Sequence, residues 1–200
     1  LLYAATLTQD KARQEAIYKK TTELYPSDYR AYNNLGMMAY AANDKAAAEN
    51  YFKQAASKNA NAPEVNTNLG LCELVKGNVA NAETYLSKST GANTANEALG
   101  NLYIKQGQYD KAVAAFGDTK TNSAALAQIL AKDYNKAKNT LNAVKNADAY
   151  TDYLMAVVGA RTNNADLVKS SMEKVAQKDA ALAAKAADDR EFAKYANEIK

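Results

Sequence analysis

No stretch of the chain alternates Val, Ile or Thr with polar residues for more than a few positions, so strands are not predicted. Between the breaks the sequence is dominated by Ala, Lys, Glu, Gln and Leu, residues that favour helix. Only two prolines, Pro26 and Pro63, and eight glycines punctuate the 200 residues. The pattern predicts an all-α chain, and the next question is whether its helices repeat.

Four columns answer it. A small residue falls at Gly36, Gly70 and Gly100, and a turn residue at Asn43, Gly77 and Gly107. A second small residue falls at Ala48, Ala82 and Ala112, and a large apolar one at Phe52, Leu86 and Phe116. Every column steps by 34 and then by 30. The series continues with looser spacing through Lys132, Ala137 and Leu141, then Asn163, Val168 and Met172, with Ala125 and Ala156 in the place of the glycines. Two antiparallel helices approach closely only where small residues face each other, and large residues on the same faces fill the groove beside the next pair.

The segments Tyr32-Asn33-Asn34-Leu35-Gly36, Ala48 to Phe52, Asn68-Leu69-Gly70, Leu99 to Tyr103 and Tyr109 to Phe116 resemble the tetratricopeptide repeat family. The resemblance is strong over residues 29–120 and continuous to about 176. It implies a right-handed α-solenoid of antiparallel helix pairs, with the first helices of successive pairs lining a concave groove. The whole chain then reads as one domain: residues 1–25 as part of a first repeat, 29–176 as four to five helix pairs, and 178–200 as capping helices with a wettable outer face. Pro26 fits the family's proline at the end of a second helix, which makes Lys11 to Tyr25 that helix and suggests further residues before Leu1.

Helix starts agree with this register. Ser27 and Asp28 precede the first full unit, and Pro63 suits a first-turn position. Thr94 to Glu97 and Asp188 to Glu191 have the spacing of a cap followed by an acid three residues on. One place departs from the family: Phe116 to Ala125 is 9 residues where Phe52 to Gly70 is 18, and Gly117 follows Phe116 at once. A clipped second helix is expected there, with irregular geometry near 117–124.

Composition narrows the function. Lys and Arg total 25 and Asp and Glu 22, and opposite charges alternate as in Asp110-Lys111 and Glu173-Lys174. That is a solvated helical surface rather than the basic face of a nucleic-acid binder. The chain contains no His, so the commonest general base and neutral metal ligand are missing. Cys72 is the single cysteine, set in the apolar run Leu69 to Val75, and reads as a buried structural thiol. With neither a phosphate loop nor an isolated carboxylate pair, the expectation is a non-enzymatic protein without cofactor or metal. The longest apolar run, Tyr153 to Ala160, has eight residues, against roughly twenty needed to span a bilayer. The composition is compatible with a bacterial cell envelope, which is slightly favoured, and with a cytoplasmic setting.

The resemblance places the groove residue by residue. On the first helix it would hold Arg30, Asn33, Asn34, Met37, Tyr40 and Ala41. On the second it would hold Glu64, Thr67, Asn68, Leu71, Leu74 and Val75, and on the third Thr94, Glu97, Ala98, Asn101, Ile104 and Lys105. Asn68 matches one position of the carboxylate clamp of chaperone adaptors, but Asn33, Met37, Thr94 and Ala98 stand where its other residues belong. Asn34 and Asn68 instead occupy equivalent places of an asparagine ladder that hydrogen-bonds an extended peptide, and Ala98 breaks the series. The expected peptide-binding set is Asn33, Asn34, Met37, Tyr40, Thr67, Asn68, Leu71, Glu97, Asn101 and Lys105. The alternative role is a spacer or assembly scaffold within a larger envelope protein or complex. A homodimer through apolar Leu1, Leu2, Tyr3 and Leu7 is a further expectation.

Overall fold

The computed structural model describes residues 1–89, 91–197 and 199. The described residues contain helices and turns and no strand. In order the helices are α1 (Leu2–Thr6), α2 (Lys11–Leu24), α3 (Tyr29–Ala41), α4 (Lys45–Lys58), α5 (Pro63–Lys76), α6 (Val79–Ser87) and α7 (Asn93–Lys105). They continue as α8 (Tyr109–Phe116), α9 (Asn122–Leu130), α10 (Tyr134–Asn142), α11 (Ala149–Arg161), α12 (Ala165–Lys178) and α13 (Ala180–Ala187), followed by a 3-10 turn, Arg190–Tyr195. The chain forms two compact units, Leu1–Ala98 and Leu99–Lys200, with the boundary inside α7.

The small and large columns meet as their spacing demands. A Cβ placed on Gly36 would lie 2.5 Å from the Phe52 ring, and one on Gly70 would lie 2.7 Å from Leu86 Cγ. In the second unit a Cβ on Gly100 would lie 2.5 Å from the Phe116 ring. Phe52, Leu86 and Phe116 are almost wholly buried, so each pair seats a large side chain against bare backbone of the helix before it. The turn column is equally literal. Asn43, Gly77, Gly107, Lys132 and Asn163 all adopt left-handed φ, between 54° and 80°. Gly77 takes that conformation without strain, whereas Lys132 carries a Cβ into it.

The first unit buries Ala48, Phe52, Ala55, Val65, Leu69 and Cys72 in one cluster and Ala5, Tyr18 and Leu35 in another. The second unit buries Ile129, Leu141, Leu154, Val158, Val168, Met172 and Phe192. Gln128 lies in this unit too, 1% exposed, and its Oε1 receives no hydrogen bond. Gln128→Met replaces that unpaired amide by an apolar chain of similar length. It is expected to raise stability by about 1–2 kcal/mol, read as a higher urea midpoint at unchanged slope.

Helix ends depart from the sequence reading in three places. Thr94 does not cap α7: the helix begins at Asn93, and just before it Gly91 N donates to Asn96 Oδ1 at 3.2 Å. Asp188 ends α13, and it is Asp189 that caps the 3-10 turn by accepting from Glu191 N. A capping box at Asp148 and Thr151 starts α11. Helix α8 does stop at Phe116, with 8 residues against 14 in α4, but α6 and α10 have only 9 each. Short second helices are therefore not peculiar to the segment before residue 124.

Candidate functional site

Helices α3 and α5 lie side by side in the first unit and carry two of the three rows of groove residues. Their register is fixed by two polar contacts one helical turn apart. Tyr29 OH donates to Glu64 Oε1 at 2.7 Å, and Asn68 Nδ2 donates to Asn33 Oδ1 at 2.9 Å. The first bond raises the Tyr29 phenol above its ordinary range, since a neighbouring carboxylate disfavours a second negative charge. Asp28 starts α3 by accepting from Arg30 N, and a fork from the Arg30 guanidinium holds its carboxyl below the usual range.

The asparagines thus divide their work differently from a simple ladder. Asn33 is buried and paired with Asn68, which leaves Asn33 Nδ2 and Asn68 Oδ1 as the pair's unspent donor and acceptor. Asn34 is half-buried, and its amide makes no hydrogen bond among the described residues. Thr67 is buried and spends its hydroxyl on Pro63 O at 2.8 Å, the same carbonyl that accepts from Ser89 Oγ. Thr67 therefore serves the α5 start and offers little to a ligand. Leu71 is half-buried, whereas Met37 is 49% exposed, Tyr40 45% and Val75 56%. Glu97 is exposed at the end of the first unit; Asn101 and Lys105 lie on the part of α7 that belongs to the second unit, half-buried and exposed respectively.

Beside Tyr40 and Val75 a cavity of about 250 Å³ opens over Cys72, with Glu49 and Lys76 on one side. Glu49 accepts from Lys53 at 2.7 Å and from Lys76 at 2.6 Å, and both hold its carboxyl below the usual range. Lys76 also reaches Glu73, a buried carboxylate that accepts from Asn78 and Asn81 as well. Burial pushes the Cys72 thiol up, with Glu49 adding to the effect, so its nucleophilic thiolate is disfavoured. Sequence reasoning missed this charge network, because its members come from three helices whose approach no local spacing announces. Among the described residues no cluster of His, Cys, Asp or Glu could hold a metal ion. No helix among them is long and apolar enough to cross a membrane.

These helix pairs are those of a repeat solenoid. Tetratricopeptide repeat models match residues 12–63, 38–97 and 94–117, more than half of the chain. The chain belongs to the tetratricopeptide repeat family. None of the curated proteins matches it significantly. Among solved structures it is similar to YrrB, a tetratricopeptide protein described as having an unusual peptide-binding site, at 18% identity and a TM-score of 0.67, over 84% of this chain and 97% of that one. It is similar to PilW, a type IV pilus biogenesis factor, at 18% identity and a TM-score of 0.63, over 88% and 90% of the two chains. It is also similar to Pseudomonas aeruginosa PilF at 13% identity and a TM-score of 0.66, over 94% and 89%. At these identities the likeness defines the fold, an all-helical tetratricopeptide solenoid.

Proposed function

We propose that the chain is a non-catalytic protein-interaction module that receives a peptide segment or partner helix along α3 and α5. The observation that carries this is the open stripe of Met37, Tyr40 and Val75 beside the unpartnered Asn34 amide, on two helices locked in register by Asn33 and Asn68. The apolar stripe offers adaptable contact, and Tyr is a low-entropy anchor for a bound segment. Asn34, together with the free halves of the Asn33–Asn68 pair, offers donors and acceptors to a peptide backbone. The near-balanced charge argues for a protein rather than a nucleic acid as partner. The peptide-binding site named for YrrB lends the reading precedent within the fold.

Affinity capture from source-cell lysate tests it, comparing the native chain with an Asn34→Ala, Tyr40→Ala double variant. Both residues are far from fully buried, so the variant is expected to melt with the native chain. A partner should be retained by the native chain and bound at least about tenfold more weakly by the variant. Equal capture by both would refute groove binding and move the function to the edges, as the scaffold role requires.

A further inference from the structure

The stretch after α13 lies on α11 in an arrangement the repeat register makes informative. Ala156 holds in α11 the place that Gly36 holds in α3, an offset of 120 residues. By that register Tyr153 stands where Asn33 does, Val157 where Met37 does, Ala160 where Tyr40 does, and Arg161 where Ala41 does. In α3 the Met37 and Tyr40 places are open. In α11 the chain covers the corresponding row itself. Tyr153 OH donates to Asp189 Oδ2 at 2.6 Å, and the Tyr153 ring meets Phe192 edge-on at 5.7 Å. The Arg161 guanidinium forks onto both carboxylate oxygens of Glu191. Tyr195 OH reaches Ala160 O at 3.5 Å. Phe192 is fully buried by the contact, and Val157 beneath is 9% exposed.

The covering segment is a 3-10 turn, whose own hydrogen bonds are poorer than those of an α-helix. Its position is therefore set by the side chains it places on α11. Those side chains have a definite chemistry: two carboxylates and two aromatic rings in the spacing Asp189-x-Glu191-Phe192-x-x-Tyr195. The receiving surface is complementary, a phenol and a guanidinium flanking an apolar floor. Arg161 and Lys194, which donates to Asn163, remain exposed, so much of the polar grip lies in water where competing charges reach it.

We propose that this face of α11 is a docking site for an acidic–aromatic segment, closed in cis by Asp189–Tyr195, and that a partner carrying the same Asp-x-Glu-Phe-x-x-Tyr spacing takes its place. The site lies in the second unit and does not depend on α3 and α5 binding anything. A purely structural cap would show the same contacts but would not exchange for a segment supplied in trans.

The test uses the full chain and a fluorescein-labelled synthetic peptide of residues 187–197. A Glu191→Ala, Phe192→Ala variant frees the face, and its helix content by circular dichroism establishes that it folds. The folded variant is expected to bind the peptide with a dissociation constant on the order of micromolar, and the native chain at least about tenfold more weakly. A peptide with Phe replaced by Ala should not bind. A folded variant that ignores the native peptide overturns the proposal. Native-state hydrogen exchange on the unmodified chain decides the matter even where the variant fails to fold. Amides of residues 190–195 exchanging about a hundredfold or more faster than those of α11 and α12 support release of the segment alone. Exchange of all three in step shows a fixed cap and overturns it.

Discussion

Phe52→Ala is expected to destabilise the first unit by about 3–5 kcal/mol. The ring is 2% exposed, and it fills the space left by the missing side chain of Gly36. Its loss removes buried apolar area and leaves a cavity whose walls are helix backbone, which cannot collapse inward easily. The same contact seen from the other side gives Gly36→Ala, where the new Cβ would lie 2.5 Å from Cε1 of that ring. Forcing the ring aside should cost about 1–3 kcal/mol. Because the two residues share one contact, their effects should not add. Gly36→Ala combined with Phe52→Leu is expected to be more stable than the sum of the single changes predicts, the smaller side chain leaving room for the methyl. Urea unfolding followed by circular dichroism measures all four members of the cycle. A Phe52→Ala loss below about 1 kcal/mol, or strict additivity in the double variant, would show that the small and large columns do not form a joint.

That joint was legible in the sequence because it repeats. One Gly opposite one Phe is an accident, but the offset of 16 residues recurs at Gly36 and Phe52, Gly70 and Leu86, and Gly100 and Phe116. The turn column was legible for the same reason, and at Lys132 and Asn163, which it marks as turns without a glycine, the backbone is left-handed. Helix starts were read less well. Thr94 lies inside α7, which opens at Asn93, and cap spacing alone does not reveal the earlier start. The groove row was placed by resemblance, and the structure adds what each member is doing. Thr67 and Asn33 belong to that expected row, yet the Thr67 hydroxyl is spent on Pro63 and the Asn33 amide oxygen on Asn68. Those partners lie on the preceding turn or about one repeat away, and pairing of this kind is decided by side-chain reach rather than by pattern. The cover over α11 was hidden for a different reason. Residues 178–200 look polar and short as a sequence, and only the fold shows Phe192 and Tyr195 turned inward.

Acid is expected to weaken the first unit through Glu73 and Glu49. Glu73 is 7% exposed and is held ionised by donors from Asn78, Lys76 and Asn81, so its carboxyl sits below its ordinary range, the Asn78 bond weighing most. Glu49 is lowered likewise by Lys53 and Lys76. A carboxylate whose folded pKa is depressed binds fewer protons folded than unfolded between the two values. Its stabilisation is therefore complete above the ordinary carboxylate pKa, near 4.5, and is lost as the pH falls towards the lowered folded value. At neutral pH Glu73→Ala should cost about 1–3 kcal/mol, because the donors from α5 and α6 lose a shared buried acceptor. Glu73→Gln keeps the shape but cannot lose a charge, so its stability should fall less steeply than the native chain's below that pH. Asp28, Asp148 and Asp189 are lowered as well, so the native chain's own acid dependence sums several groups. The difference between native and Glu73→Gln curves isolates one of them. Urea midpoints measured from pH 7 to pH 3 give that difference directly. Parallel curves would mean that Glu73 titrates no differently in the fold than in the unfolded chain, and that Lys76 and the two asparagines do not hold its charge.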